Sequence, residues 1–551
     1  MIAVYIDEKL AEYRNKINYT FDFMFTSLGF EYKLISNLDQ FLENDILFFY
    51  SHIEPQEEEV QFLAYQKTMF YIPVEKQLYT LKGLDSVSGI ISEIKLKFKV
   101  PVISSSVVAN PLHFFNNADF FYGKFNFDLI GNLFFYLNNI KFKTPSETNI
   151  SSFTDKYNSV PYLNALLNLA EEFIVAAVSA DEKLFILKKE YWPKAESFAA
   201  VISHNVPSLQ KWSLSKIGRS FFPSLFYFYN VKYFLNTFVS KVKYILTNIE
   251  EYWNFNVIDE IEETHGISST YFFGTDLTEF DYKTDDEDLY NEIDNIRKKG
   301  HEVALLASSV SYKTDTHAQE SLKAMKLAEK EKIGVRQNQY FYDTEKTSEF
   351  HRNHKYTYNS TICTKQLQGF ANGIGLPFFS ANVESESDFF SLKKNLEIPL
   401  IFSDETLKLS DSKRITFERA KHILEELIYN SKHFNALLSF DFSPGNFNEI
   451  SYNAKLFTFL LENLKQEDCC IGTYDEISRW WKKRVGVKIS EYKEKLIIYF
   501  PENIPCITFK LITGKDGKIV STNEYEIKEN LITFSDVKSD TIAEIIFNDR
   551  D

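Results

Sequence analysis

The sequence predicts an α/β protein built around a parallel, closed or nearly closed (β/α) barrel, preceded by an α/β domain and followed by a small all-β domain. Three observations carry this reading. Short runs rich in Ile, Val, Phe and Tyr alternate with helical ones up to about residue 145. Repeated strand–helix units then fill residues 196–485, the pattern of a parallel barrel. Short β runs alone make up the rest. The expected boundaries are 1–145 for the α/β domain, 146–195 for a helical connection, 196–485 for the barrel and 486–551 for the β domain.

In chain order, MIAVYI (1–6), DILFFYS (45–51), TMFYIP (68–73) and VPVISSS (100–106) read as buried strands from their β-branched and aromatic content. Residues 8–28 and 86–97 read as helices between them. The connection is a polar loop followed by a helix, with apolar residues at helical spacing over 162–177. SFAAVIS (197–203) is the first barrel strand, and 257–264 ends a helix that turns at His265-Gly266 into SSTYFFG (268–274). Residues 285–299 form a helix that runs from acidic to basic, the order that suits its dipole, and Gly300 closes it. EVALLAS (302–308) is a strand, 316–332 a helix, and Gly334 follows. After VRQNQYFY, YNSTI, GLPFF and PLIFSDE come a helix at 417–431, a strand at 434–442 and a last helix at 475–484. In the tail, KLIIYF, CITFKLIT, IVSTNEYEI, LITFSD and TIAEIIF are β runs, and GKDG (514–517) signals a hairpin.

Composition narrows the function classes. The chain has 551 residues, 61 Lys plus Arg against 77 Asp plus Glu, and a net charge of −16. Such a chain is a poor general binder of phosphate backbone or anionic lipid, so nucleic acid is not an expected partner. The 52 Phe, 32 Tyr and 5 Trp supply large cores and exclude disorder as the main state. Only 18 Gly and 14 Pro argue against long flexible linkers, and 4 Cys cannot form a dense disulfide framework. The N-terminal residues show no signal peptide, and no apolar run is long enough for a spanning helix, so a cytoplasmic protein with no transmembrane segment is expected. The nearest approach, 221–238, is aromatic-rich and amphipathic. It reads as a helical layer on a larger core, with a membrane-surface or docking role as the alternative. Walker A, GxGxxG, HExxH and GxSxG patterns are absent from the sequence.

Six blocks occur in order: SHNVP, HGISSTYFF, IRKKGHEVALLAS, EKIGVRQNQYF, YNSTICTKQLQGFANGIGLPF and EISRWWKKR. Together they resemble the bacterial polysaccharide deacetylase-like proteins, relatives of the NodB-type carbohydrate esterases, whose first motif is His-Asp-Val-Asp. The resemblance covers about 196–484, and FDLIGNLFFYLNN (127–139) is similar to the end of the domain that precedes the barrel in that group. It implies a distorted (β/α) barrel, metal-dependent N-deacetylation of a carbohydrate, and a setting in surface or capsular polysaccharide metabolism. In that chemistry a divalent metal such as zinc, held by one Asp and two His, polarises the acetamide carbonyl and activates a water. A second Asp takes the water's proton, and a late His protonates the leaving amine.

Position by position, this chain departs from that pattern. In the first block only His204 is kept; Asn205 replaces the base and Pro207 the metal carboxylate. An amide takes no proton near neutral pH, and Pro has no ligating group. Gly300-His301-Glu302 is kept, but Leu306 stands where a ligand His belongs. Arg336, which in the family orients the catalytic carboxylate, loses that charged partner and is left to pair elsewhere or bind an anion. Asn338 replaces a common His, Asn359 a usual Asp and Ala371 a frequent Arg, while Asp441 aligns with the His-bearing segment. The resemblance thus implies a retained fold with an erased metal site: no metal ligands, no cofactor and no confident catalytic residue. His204, Arg336, Asp404 and Asp441 are the ligand-binding candidates. Asp404-Glu405 follows a strand, at the end of a barrel where sites lie.

Other constellations read blandly. His351 and His354, near Asp343 and Glu349, have an H-x-x-H spacing but lie in a solvated loop. Cys469-Cys470 reads as two buried thiols. Three readings of function stay open. The first is a catalytically inactive deacetylase-like protein that binds a glycan or a polysaccharide-biosynthesis protein. The second is a deacetylase with a rearranged set drawn from His204, His301, Asp404, Asp441, His351 and His354. The third is a structural assembly component with the barrel as spacer.

Overall fold

The computed structural model describes residues 1–40, 46–55, 68–81, 91–96, 98–116, 121–138, 156–180, 184–212, 231–247, 251–309, 311, 316–341, 351, 354, 356–364, 366–380, 395–410, 413–447, 451–492, 495–513 and 517–547. The first layer is a six-stranded sheet in the order Tyr32–Ile35, Ile2–Ile6, Ile46–Ser51, Thr68–Pro73, Phe121–Phe125, Leu112–Asn116. All pairs are parallel except the last, a hairpin. Helices Arg14–Leu28 and Leu129–Asn138 bring Phe21, Phe25, Leu133 and Phe135 into the core. Within the expected helix at 86–97 the structure has a strand, Ile91–Lys95, paired with Lys99–Ile103. Its Ile91 and Ile94 fit helical spacing equally well, and cross-strand pairing decides the outcome. Residues 86–90 of that stretch lie outside the described residues.

The second layer positions the site. Parallel strands run in the order Val335–Gln337, Glu302–Ala307, Thr270–Phe273, Phe198–Val206, Leu437–Asp441, Phe402–Ser403. The nine-residue strand Phe198–Val206 is buried throughout, as a strand covered on both faces must be. Cys469–Gly472 pairs with its first half and Thr270–Phe273 with its second, on the same edge. The sheet curls into a half-barrel. Its two edges are linked by bridges from Asn359 to Val335 and to Glu397, and by Ile401 donating to Ser439 O. Gly334 permits this curl, since a Cβ there would lie 1.9 Å from the Tyr358 ring.

The C-terminal strands form two four-stranded sheets. One of them takes its edge strand, Phe185–Lys189, from ahead of the barrel, where no strand was expected; it pairs with Ile504–Thr513. Arg484 joins the parts: its guanidinium donates to Thr26 O and Ser27 O in the last turn of the first helix and to Lys189 O and Glu190 O. One hydrophobic core runs from Ile2 and Phe21 through Trp192 to Phe440 and Trp481, and a second fills the C-terminal sheets.

Among the described residues one helix, Tyr162–Ala180, is long and apolar enough by length and composition to cross a membrane. Most of its apolar window, 61%, is buried inside the protein, and Asn164 bonds Phe434 O and Gly375 N.

Candidate functional site

Pleat parity sorts the first block. Along Phe198–Val206 successive side chains alternate, so Ser203 and Asn205 enter the half-barrel while His204 points outward. Parallel register then places the neighbours on the same face. Asn205 sits opposite Phe272, Phe272 opposite Ala304, Leu306 opposite Arg336, and Ser203 opposite Asp441. Two degenerate positions, Asn205 and Leu306, therefore belong to the interior layer.

Arg336 is at the centre of that layer and has no exposed surface. Nη1 donates to Asp441 Oδ1, Asn205 Oδ1 and Ser203 Oγ, each at 2.9 Å. Nε donates to Ser360 O at 3.0 Å, and Nη2 to Ser360 Oγ at 3.0 Å and Tyr474 OH at 2.8 Å. The guanidinium also lies 4.1 Å from the Phe272 ring centre, a desolvated cation–π contact. Arg336 thus keeps a charged partner, Asp441, in place of the one lost at Asn205. Asp441 accepts in addition from Ser203 Oγ, Asn205 N and Tyr340 OH. Burial pushes its carboxyl up, against the pull of Arg336. Asn205 Nδ2 donates to Tyr340 OH at 2.9 Å. Gln339 and Tyr340 deliver that hydroxyl through consecutive left-handed backbone, φ 58° at each, a strained arrangement that the surrounding contacts hold in place.

A second buried carboxylate lies beside the first. Asp404 accepts from Asn446 Nδ2 at 2.9 Å and Asn453 Nδ2 at 2.6 Å, and burial followed by the Glu405 charge raises its carboxyl well above the ordinary range. Burial acts on Glu405 too, but the Lys408 ammonium holds it below its usual value. Around the rim, Glu320 takes Ser308 N and Oγ, while Glu279 takes Ser309 N, Ser309 Oγ and Asn338 Nδ2.

His204 lies on the other side of the wall. Its Nδ1 donates to Phe442 O at 2.7 Å, and its Nε2 meets Glu262 Oε1 at 3.1 Å. Tyr271 OH donates to Glu262 Oε2 at 3.1 Å, and His301 Nδ1 lies 3.7 Å from that oxygen. Burial lowers the His301 pKa. Of the residues weighed for a rearranged set, the structure brings His204 and His301 to Glu262 outside the barrel wall, and Asp404 near enough to Asp441 to feel its charge. Pro207 is exposed at the strand's end, and Ala371 is buried in a short turn. Asn359 Nδ2 donates to Glu397 Oε2 at 2.6 Å. His351 Nε2 lies 3.3 Å from Gln337 Nε2, and His354 stacks on Tyr356. Asp343 and Glu349 lie outside the described residues. Cys469 and Cys470 are free thiols whose pKa values burial raises. Sequence reading missed Tyr340, Ser203, Ser360 and Tyr474, which complete the Arg336–Asp441 network, and Glu262, the partner of His204.

The residues at the family's metal positions do not fit a divalent cation. Pro207 and Leu306 offer no donor, and Asn205 Oδ1 is held by Arg336. Among the described residues no group of three or more His, Cys, Asp or Glu side chains converges as a metal-binding set.

No family model matches the chain, and no curated protein matches it. Solved structures do. A polysaccharide deacetylase from Mycobacterium smegmatis is 14% identical, covers 53% of this chain and 92% of its own, and gives a TM-score of 0.35. PuuE allantoinase is 12% identical over 53% of this chain and 92% of its own, at a TM-score of 0.34. Agd3, a carbohydrate deacetylase, is 9% identical over 99% of this chain and 98% of its own, at a TM-score of 0.36.

Proposed function

We propose that the protein is a deacetylase-like component of carbohydrate metabolism that binds a glycan, or a protein of polysaccharide biosynthesis, without hydrolysing it. The curled sheet is read as the distorted (β/α) barrel of that family, spanning 196–485 between an α/β domain (1–145), a helical connection (146–195) and a β domain (486–551). The observation that carries the reading is the Arg336–Asp441–Asn205–Tyr340 network. It occupies the interior layer where a metal, its water and a catalytic carboxylate would have to stand. Hydrolysis of an acetamide needs a base whose proton affinity matches the working pH. Asn205 cannot serve, and Asp441 is tied to a guanidinium.

Acetate release from N-acetylated chito-oligosaccharides tests this, with the purified chain preloaded in turn with zinc, cobalt and nickel. The expected result is no release above the protein-free rate, together with saturable binding of an oligosaccharide by titration calorimetry. Metal-dependent release that Asp441→Asn abolishes would establish an active enzyme instead. The reading also keeps the protein in the cytoplasm, which fractionation of the source cells checks.

A further inference from the structure

We infer that the helix Val231–Thr247 is a docking surface for an anionic lipid bilayer. Leu235, Phe238, Val239, Val242, Ile245 and Leu246 recur at spacings of three and four and are 37–78% exposed. Helical geometry puts them on one continuous stripe. The opposite side faces the protein: Ser240 and Lys241 are buried, Trp212 Nε1 donates to Ser240 Oγ at 2.6 Å, and Lys241 Nζ lies 5.0 Å from the Trp212 ring centre. The helix is therefore amphipathic in the inverted sense, with its apolar stripe to solvent. A contiguous stripe of this kind marks an interaction surface.

Charge identifies the occupant. Between Glu196 and Glu250 the sequence has no Asp or Glu and carries Lys211, Lys216, Arg219, Lys232, Lys241 and Lys243; Lys211 pairs with Glu251 and Lys241 is buried, while Lys243 is exposed beside the apolar stripe. The rest of the chain is acidic enough to bring the total to −16. An apolar, aromatic-bearing stripe within a purely cationic segment suits the headgroup region of an anionic bilayer. A second copy of the chain fits less well, because a two-fold contact would set this cationic segment against itself. The helix lies in the connection that leaves the Asn205 end of its strand. That connection is held by Leu209 N to Asp281 Oδ1 at 2.9 Å and by Asn254 Nδ2 to Pro444 O at 2.9 Å.

Flotation of the full chain with vesicles tests the inference. One set contains phosphatidylcholine with an equal part of phosphatidylglycerol, the other phosphatidylcholine alone. The chain is expected to float with the anionic vesicles, to be released as salt rises, and to stay behind with the neutral ones. L235E/F238E and I245E/L246E should each lower partition at least about tenfold, since each swaps buried apolar area for charge repulsion. Both pairs are exposed, so their melting curves should match the parent. The inference is overturned if the parent fails to float with anionic vesicles, if it floats equally with neutral ones, or if both variants bind like the parent. A parent that instead dimerises in sedimentation, with the variants monomeric, overturns it in favour of a second copy. None of these outcomes bears on acetate release, so this surface and the proposed function stand or fall separately.

Discussion

Replacing Arg336 with Leu tests whether the interior network holds the fold together. The substitution strips Asp441 of its cation and leaves Asn205 Oδ1 and Ser360 O without their donor. Breaking a buried pair from one side costs about 3–5 kcal/mol, because the surviving charge stays desolvated. A chain of 551 residues unfolding as one unit carries an entropy near 1.2 kcal/mol/K, at about 2.1 cal/mol/K per residue. The melting midpoint should therefore fall by about 3–4 °C at about pH 8, and by more if only the main core unfolds. The cost should also depend on pH. In the native chain burial already raises the Asp441 carboxyl, with Arg336 opposing. Without Arg336 the folded value rises further. A folded value above the unfolded one makes stability fall as pH climbs from the unfolded value, about 4, through the folded value. The gap between parent and R336L should thus be smallest near about pH 4 and widest at about pH 8. Differential scanning calorimetry across that range, with R336L/D441N as companion, reads it; the double variant should lose most of the pH dependence. A gap under about 1 °C at high pH, or one that does not shrink on acidification, would refute this account of the network.

Four further outcomes follow from particular contacts. Arg484→Met removes the donors to Thr26 O, Ser27 O, Lys189 O and Glu190 O, and should cost about 3 kcal/mol or more and speed proteolysis near the junction. Gly29→Ala places a Cβ 2.1 Å from Lys189 O at φ 86°, so expression and melting temperature should both drop, by well over about 1 kcal/mol of stability. Burial raises Asp128 and Glu302 each to about 7; melting temperature should fall as pH rises from about 4 to about 7 and level off above, and Glu302→Gln should flatten part of that slope. Incubation with a chelator, or with excess zinc, should leave the melting curve unmoved, since a ligand that favours the native state would raise it.

Strand periodicity made much of the half-barrel legible. SFAAVIS, EVALLAS and FNALLSFDF are continuous apolar runs, and each lies in a parallel strand with neighbours on both sides. The strand Phe185–Lys189 was not legible, because its partner Ile504–Thr513 lies more than three hundred residues away in sequence and no local pattern encodes that pairing. Of the site, the departures at Asn205, Leu306 and Asn359 could be read directly. Their consequence could not. Arg336 and Asp441 are 105 positions apart, and only the curl of the sheet shows that they pair. Tyr340 lay hidden for a different reason, since a Tyr after a short strand carries no signal until a left-handed turn aims it inward.

The same pleat sorts the first block by surroundings. His204 faces the helix Phe255–His265 and the carbonyl of Phe442, and its contacts are with Glu262 and the packing outside the barrel wall. Asn205 and Leu306 face the interior, where they present an amide and an alkyl group. A buried guanidinium tolerates such a layer only if its own donors find acceptors, and Asp441, Asn205, Ser203, Ser360 and Tyr474 supply them. A single reversion cannot rebuild the centre: Asn205→Asp would place a second carboxylate against Arg336 and Asp441 without supplying a ligand at Leu306 or Pro207. Acetate release by N205D should therefore stay at the protein-free rate in every metal tried, and release on that one change would show that the interior layer is far closer to a working site than its geometry indicates.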